Sequence, residues 1–189
     1  MCRKILLDCG AHLGESVDKF RTILPDINEY KIYMFEPNIF MYDRISIDPK
    51  YNDCIKMRCA VSNKNCSGKL YGCTNYKENS GATIEKFKVE CDNMDREDCI
   101  DTEIINLSEF IKGNFSIDDK IILKLDIEGS EYDVLESLIK DGTITYISKL
   151  YCEFHTKWFK EEFKIREENI TKQLISLGLT PEYWDALNG

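Results

Sequence analysis

The amino-acid sequence predicts an α/β fold in which helices cover both faces of a mainly parallel central sheet. Residues 4–9 and 120–127 form short, nearly continuous apolar runs, as strands buried on both faces do. The segments after them, 15–24 and 131–140, carry apolar residues at the spacing of amphipathic helices. Strand and helix patterns alternate through most of the chain. This is typical of a parallel sheet whose ligands bind beyond the carboxyl ends of its strands.

The first third of the chain contains three predicted strands separated by two helices. Pro25 ends the first helix, and the run Glu36, Pro37 and Asn38 closes the second strand. In order, we expect a strand at 4–9, a helix at 15–24, a strand at 31–35, a helix from Ile39 to Ile45 and a strand at 55–61.

The middle of the chain, residues 62–101, differs in composition from the rest. It is rich in Asn, Lys, Ser, Gly and Cys, and its only alternating stretches lie near residues 69–72 and 87–89. We interpret this segment as an irregular insertion that carries a hairpin.

The last third returns to regular alternation, with Asn106 as a candidate helix cap. In order, we expect a helix at 107–111, a strand at 120–127, a helix at 131–140 and a strand at 147–154. A long helix at about 157–177 and a last strand at 180–186 follow. Because the chain ends soon after that strand, we expect a truncated C-terminal edge without a further antiparallel strand.

Composition restricts the classes of function. The chain has 189 residues, of which 43% are hydrophobic, and this suffices for one domain spanning 1–189. Its net charge of -9 and the absence of a basic patch disfavour nucleic acid as a partner. The nine cysteines form no Cys-x-x-Cys pair, which argues against a structural zinc site and a secreted disulfide scaffold. We therefore expect a soluble, cytoplasmic protein in a reducing compartment, without membrane insertion.

A glycine-containing turn joins the first strand to the first helix. Gly10 permits a sharp turn and close approach of a ligand, and Gly14 lets the helix begin tightly against the sheet. Nucleotide-like cofactors suit such a turn, although an ordinary strand-to-helix connection is the alternative. Ala11 stands where the dinucleotide-binding fingerprint has its second glycine, and the P-loop lysine is absent. The turn from Asp8 to Gly14 therefore indicates a cofactor site without identifying the cofactor.

Glu36 strengthens this interpretation because it ends the second predicted strand. An acidic side chain there can accept hydrogen bonds from both hydroxyls of a ribose that lies across the strand tips. A surface glutamate before a proline is the simpler alternative. The combination with the glycine turn favours the cofactor.

Three carboxylates follow the apolar strand at 120–127. Alternation places Lys124, Asp126 and Glu128 on one side of an extended chain, and Gly129 permits the turn into the next helix. Grouped carboxylates destabilise a fold unless they meet a cation, a donor or a metal, so a functional site is favoured over helix capping. Glu131 is the member of the group that best fits a purely structural role.

Glu153 and His155 end another predicted strand and point to the same side of it. In a parallel sheet this strand tip should lie beside the tip that carries Asp126. His155 can then serve as a general base or a metal ligand, whereas a lone histidine more often packs in a core. We expect His12 to face solvent or to line the cofactor site, without taking part in the chemistry.

Together these segments resemble the successive motifs of the FkbM-like methyltransferases, in order from residue 5 to about residue 155. The segments are residues 7–14, Phe35 to Asn38, Ala60 to Ser62, Asn79 to Thr83, Leu123 to Glu131 and Glu153 to His155. The Phe-Glu-Pro element and the Lys-x-Asp-Ile-Glu-Gly-x-Glu element are the most distinctive, while the glycine turn is shared by many class I methyltransferases.

The resemblance implies a class I methyltransferase fold, a Rossmann-like sandwich, that uses S-adenosylmethionine to methylate a hydroxyl of a sugar, glycan or similar small molecule. It also implies the following site. The cofactor would contact Asp8, Gly10, Ala11, Gly14, Glu36, Asn38, Ala60, Val61 and Asp126. The loop with Ser80, Gly81 and Thr83, together with Glu128, would contact the acceptor.

For catalysis we expect Asp126 or His155 to accept the hydroxyl proton, Glu153 to orient His155, and Lys124 to keep Asp126 ionised. A Mg or Mn ion held by Asp126, Glu153 and His155 is the alternative way to activate the hydroxyl. A non-catalytic nucleotide-binding module and an NAD-linked oxidoreductase are the rival functions. The intact carboxylate set argues against the first, and Ala11 with the Phe-Glu-Pro element argues against the second.

Overall fold

The computed structural model describes residues 2–73, 81–156 and 161–184 and shows the predicted alternation of strands and helices. The strands are β1 (Lys4–Cys9), β2 (Tyr30–Phe35), β3 (Ile55–Met57), β4 (Ala60–Ser62), β5 (Cys66–Tyr71), β6 (Cys99–Asn106), β7 (Lys120–Leu125), β8 (Ile147–Cys152) and β9 (Glu182–Tyr183). The helices are α1 (Glu15–Ile23), α2 (Ile39–Ile47), α3 (Lys86–Cys91), α4 (Leu107–Asn114), α5 (Glu131–Lys140) and α6 (Glu161–Ser176).

The main sheet has the strand order β3-β2-β1-β7-β8-β9, and its neighbouring strands all pair in parallel. This is the doubly wound order, in which the chain reverses direction across the sheet between β1 and β7. The carboxyl ends of β1, β2, β7 and β8 therefore meet at one edge. The mainly parallel α/β fold predicted from the sequence is confirmed.

Strand alternation divides the core into two clusters, one on each face of the main sheet. Ile5 and Leu7 of β1 point into the cluster covered by α4, α5 and α6. Leu6 points into the opposite cluster with Phe20 of α1 and Ile45 of α2. Side chains of this kind stabilise a fold by about 1.5–3 kcal/mol each when fully buried. Both faces of the sheet are thus covered, which explains the continuous apolar runs of β1 and β7.

The segment from residue 58 to residue 106 forms a second, smaller sheet of order β4-β6-β5. β5 and β6 pair antiparallel, so the predicted hairpin is present, with a long connection between its strands. Two details of the prediction are wrong. The expected strand at 55–61 is two strands in different sheets, and the alternating stretch at 87–89 lies in helix α3. Over so few residues, the periodicity of apolar side chains does not by itself distinguish a strand from one helical turn.

The C-terminal part of the main sheet ends in β9, which is two residues long and parallel to β8. Trp184 follows it, donates its backbone N–H to the Cys152 carbonyl, and stacks on Phe20 with ring centroids 4.7 Å apart. No helix in the described ranges combines the length and the apolar character that crossing a bilayer requires.

Candidate functional site

A cavity of about 310 Å³ opens at the carboxyl edge of the main sheet. It begins beside Gly10 and Glu36, at the tips of β1 and β2, and extends to Asp126, Glu153 and His155, at the tips of β7 and β8. Neighbouring strands in this type of sheet lie about 4.8 Å apart, and three such spacings separate β2 from β8, so the outer tips lie about 14 Å apart. The volume is within the range of small-molecule sites.

The turn after β1 is built so that the backbone stays close to the neighbouring strand. Gly10 has a φ of 80°, and a Cβ there would lie 1.8 Å from the Asp126 carbonyl oxygen. Gly14 caps α1 with a φ of 91°, and a Cβ there would meet the ring of Tyr51 at 2.3 Å. Side chains are excluded at both positions by space as well as by backbone conformation.

Glu36 is held by the backbone on both sides. Its Oε2 accepts the N–H of His12 at 2.7 Å, and its Oε1 accepts the N–H of Asn38 at 2.8 Å. An ionised carboxylate has about four acceptor positions, so two remain for donors in the cavity. Burial raises the pKa of Glu36 to about 7, although both N–H donors favour the ionised form. The arrangement suits a ligand that brings hydroxyl donors.

Lys124 stands behind the cavity and joins two strand tips. It is the register partner of Asp8, and its Nζ lies 3.2 Å from Asp8 Oδ1 and 3.6 Å from Asp126 Oδ2. The same ammonium donates to the carbonyl oxygens of Cys9 and Gly10, at 3.2 and 2.7 Å. Burial raises the pKa of Asp126, while Lys124 opposes that shift. Lys124 is fully buried and compensates the charge of the acids on either side of it.

Glu128 links the strand tip to the second sheet. It has a left-handed backbone with a φ of 56°. Its carboxylate is paired with Lys88 of α3, and its carbonyl oxygen accepts the hydroxyl of Thr83 at 2.8 Å. Lys88 is 4% exposed and also donates to the Gly81 carbonyl at 3.2 Å. The connection between β5 and β6 is therefore fastened directly to the site.

His155 lies among three carboxylates, one at Nδ1 and two at Nε2. Its Nδ1 lies 3.1 Å from Glu131 Oε1, and its Nε2 lies 3.3 Å from Glu128 Oε2 and 3.8 Å from Asp126 Oδ1. A neutral imidazole has one N–H, so only the doubly protonated ring can donate on both sides. Burial opposes this charge, but Glu131 and Glu128 outweigh it and raise the pKa of His155 to about 11. At neutral pH the ring is a cation.

The structure brings most of the predicted site residues to the cavity. The predicted residues that line it are Gly10, Glu36, Asn38, Ala60, Val61, Asp126, Glu128, Glu153 and His155. The others lie beside or behind it within the described ranges: Asp8, Ala11, Gly14, Lys124, Gly81 and Thr83. Ser80 lies outside the described residues.

The candidate metal ligands differ from the predicted set. Within the described ranges, a group of three with ligand atoms inside 4.8 Å consists of Asp126, Glu128 and His155, with Glu128 in the place expected for Glu153. Two features of this group weigh against a divalent cation. Lys88 already pairs with Glu128, and a metal would require His155 to lose a proton that two carboxylates hold.

Two side-chain contacts of the site were not predicted from the sequence. Glu131 was expected to be structural, and it does accept the N–H groups of Ile127 and Gly129 at 2.7 and 2.9 Å, but its contact with His155 Nδ1 at 3.1 Å was not predicted. Its position in the first turn of α5, shortly after Asp126, was the available signal. Lys88 gave no signal, because only the folded insertion brings it to Glu128.

The chain was compared with known families, curated proteins and solved structures. The sequence profile described as "Methyltransferase FkbM domain" matches residues 8–177. No curated protein and no solved structure matches the chain. The profile match spans the glycine turn, the whole second sheet and every residue of the cavity described above, whereas most of β1 and all of β9 lie outside it.

Proposed function

Since the chain belongs to the FkbM methyltransferase family, we propose that it transfers the methyl group of S-adenosylmethionine to a hydroxyl oxygen of a sugar, glycan or similar small molecule. The observation that most directly supports this proposal is that one cavity contains both Glu36, at the tip of β2, and Asp126, at the tip of β7. A ribose-binding acid and a proton acceptor thereby face the same ligand space. Membership of this family also favours a methyltransferase over an NAD-linked oxidoreductase and over a non-catalytic nucleotide-binding module.

The residues at the β1 and β2 tips fit this cofactor. The two remaining acceptor positions of the Glu36 carboxylate suit the vicinal hydroxyls of a ribose. Phe35, Ala60 and Val61 line the neighbouring wall and suit an adenine ring, whose faces are apolar. The bound cofactor supplies a methyl group that is already electrophilic because it is carried on a sulfonium. The protein then has to align the hydroxyl oxygen and remove its proton.

We assign to Asp126 the role of accepting the proton from the acceptor hydroxyl. Its carboxylate lines the cavity and is one-fifth exposed, whereas Lys124 behind it is buried. Burial raises the pKa of Asp126, and a raised pKa makes the carboxylate a better base than an exposed one. Lys124 keeps the charged form accessible, because its ammonium lies 3.6 Å from Asp126 Oδ2 and opposes the effect of burial.

His155 has a different part in this proposal. As a cation it has no lone pair with which to accept a proton. It instead neutralises Glu128 and Glu131 and leaves Asp126 as the carboxylate that faces the acceptor. The same charges favour a reaction without a divalent metal, because the pairs Lys88–Glu128 and His155–Glu131 already supply the cations. We expect full activity after treatment with a chelator, measured as transfer of labelled methyl groups.

A thermal-shift experiment tests the cofactor. S-adenosylmethionine and S-adenosylhomocysteine should raise the melting temperature, and NAD should not. A ligand at about one hundred times its dissociation constant stabilises a protein by about 2.7 kcal/mol. If neither of the first two ligands gives a shift, the proposed function is wrong.

A further inference from the structure

We propose that the side chains of His12 and Asn38 bind the two ribose hydroxyls of S-adenosylmethionine together with Glu36, so that these three residues select an intact ribose. This inference rests on the proposed function and names the side chains that decide which cofactor analogues bind. It starts from the surroundings of Glu36. The two residues that hold this carboxylate through their backbone N–H groups each carry a side-chain nitrogen that has no hydrogen-bond partner among the described residues.

Asn38 has a buried amide group of which one end is in use. The residue is 1% exposed and caps α2, where its Oδ1 accepts the N–H of Phe40 at 3.0 Å. Because that contact needs the amide oxygen, the NH₂ group is the end that the described residues leave without a partner. A buried donor without a partner destabilises a fold, so native proteins seldom keep one without a reason. Asn38 lines the cavity, and a ligand there can supply the acceptor.

A second cap asparagine shows how an amide with a purely structural role is used. Asn106 caps α4 in the same way, and its Oδ1 accepts the N–H of Glu109 at 3.2 Å. Its Nδ2 also has a partner, because it donates to the carbonyl oxygen of Asn63 at 3.0 Å. Asn106 lies outside the described lining of the cavity. Of the two amides, the one without a partner is therefore the one beside the ligand space.

His12 is held against the other oxygen of Glu36. Its backbone N–H donates to Glu36 Oε2 at 2.7 Å, and its ring Nδ1 lies 3.1 Å from Glu15 Oε1. The other ring nitrogen, Nε2, is buried and has no partner within the described ranges, although the residue lines the cavity. An imidazole Nε2 donates to a hydroxyl when it carries a proton and accepts from one when it does not. The ring can thus serve a hydroxyl in either protonation state.

A ribose with two free hydroxyls matches this set of groups. A hydroxyl has one proton to donate and two lone pairs that accept. Each hydroxyl can donate to a free acceptor position of Glu36 and use a lone pair for the nearer nitrogen, Asn38 Nδ2 or a protonated His12 Nε2. A missing hydroxyl would leave both the carboxylate position and the nitrogen unpaired, and this is penalised more than the loss of one hydrogen bond. The site should therefore reject a deoxyribose more strongly than Glu36 alone would.

Double-mutant cycles between side chain and ligand test this inference. Titration calorimetry on the full chain measures the affinities of S-adenosylhomocysteine and of its 2′-deoxy and 3′-deoxy analogues. The unsubstituted chain is compared with Asn38→Ser and His12→Asn. Serine caps a helix as well as asparagine does, and asparagine tolerates the left-handed backbone of His12, whose φ is 47°.

Each substitution should lower the affinity for S-adenosylhomocysteine by about five- to tenfold, as expected for a lost hydrogen bond in a buried site. For one of the two deoxy analogues the same substitution should change the affinity by less than about twofold, because the hydroxyl that the side chain contacts is already missing. Unchanged affinity for S-adenosylhomocysteine in either variant overturns the inference. A loss of equal size for all three ligands also overturns it. A chain that does not bind S-adenosylhomocysteine counts against the proposed function instead.

Asn106→Ser is the matched control, because it makes the same change at a cap whose amide has a protein partner. It should lower the free energy of unfolding and leave the affinity for S-adenosylhomocysteine unchanged, whereas Asn38→Ser should lower the affinity with little loss of stability. Glu161→Gln, at the exposed start of α6, gives the baseline for urea denaturation and for calorimetry. Equal losses of affinity in Asn38→Ser and Asn106→Ser would reveal a general effect of weakened caps and would overturn the assignment of Asn38.

Discussion

The two ends of the cavity are held in place by different interactions. At the β1 and β2 tips, Glu36 is fixed by two backbone N–H groups, and Gly10 by the space beside Asp126. At the β7 and β8 tips, ion pairs between side chains from distant parts of the chain hold Glu128 and His155. Backbone contacts tolerate changes of side chain elsewhere, whereas a charge network responds as a unit. Variants at the first end should therefore alter cofactor affinity, and variants at the second end should alter turnover and stability.

The largest effect is expected for Asp126→Asn. Loss of the proton acceptor should lower kcat by about 10²- to 10⁴-fold, the usual contribution of a general base. Affinity for S-adenosylmethionine should change only severalfold, because Glu36 and its backbone donors are untouched. Single-turnover methyl transfer and calorimetric titration measure the two quantities. Turnover equal to that of the unsubstituted chain would exclude Asp126 as the base.

The next effect concerns stability. Glu131→Gln takes away the charged acceptor of His155 and of two backbone N–H groups in a fully buried position. We expect a loss of about 3 kcal/mol in the free energy of unfolding, since breaking a buried charged pair usually costs that much. Urea denaturation of this variant and of Glu161→Gln gives the comparison. A loss no larger than that of the exposed control would show that the network does not act as a unit.

Glu36→Gln tests the other end. The amide keeps the shape but weakens acceptance of ribose hydroxyls, so the affinity for S-adenosylmethionine should fall about 10- to 100-fold. At saturating cofactor, kcat should stay within a few-fold of the original value. A fall in kcat without a fall in the affinity for S-adenosylmethionine would contradict the assignment of cofactor binding to the β1 and β2 tips.

Cofactor binding should also depend on pH. The pKa of Glu36 is about 7 in the cofactor-free protein, and ribose hydroxyls favour its ionised form. Affinity should therefore rise, by up to about tenfold, between about pH 6 and about pH 8, with release of a proton on binding. Glu36 also makes the cofactor-free protein less stable as the pH rises from the pKa of this carboxyl in the unfolded chain toward 7. The reason is that the folded state holds the proton more tightly than the unfolded state does. Glu36→Gln should remove both dependences, and titration calorimetry in two buffers measures the proton.

The smallest change is spectroscopic and concerns His155. The chain has two histidines, so NMR of the imidazole nitrogens can be assigned by comparison with His12→Asn. Both ring nitrogens of His155 should remain protonated at about pH 8. The charge stabilises the fold below the unfolded pKa of about 6.5, and this contribution is lost as the pH rises through the folded pKa. A ring that titrates near 6.5 would restore His155 as a candidate base.

The sequence by itself determined the order and type of most elements and the strand tips at which the site residues lie. Continuous apolar runs predict buried parallel strands, and short-range signals such as Asn106, which caps α4, are read from neighbouring residues. The glycine turn, Glu36, Asp126 and His155 each follow a strand end, and parallel pairing necessarily brings strand ends together.

Only the tertiary structure decided how the charges are paired. Lys88 meets Glu128 across 40 positions of the chain, and His155 meets Glu131 across 24. No local pattern encodes such contacts, because they depend on how the insertion and α5 pack on the sheet. For the same reason, the contact between Glu131 and His155 was not predicted. Local preferences specify elements, whereas the electrostatics of the site arise from the distances that packing imposes.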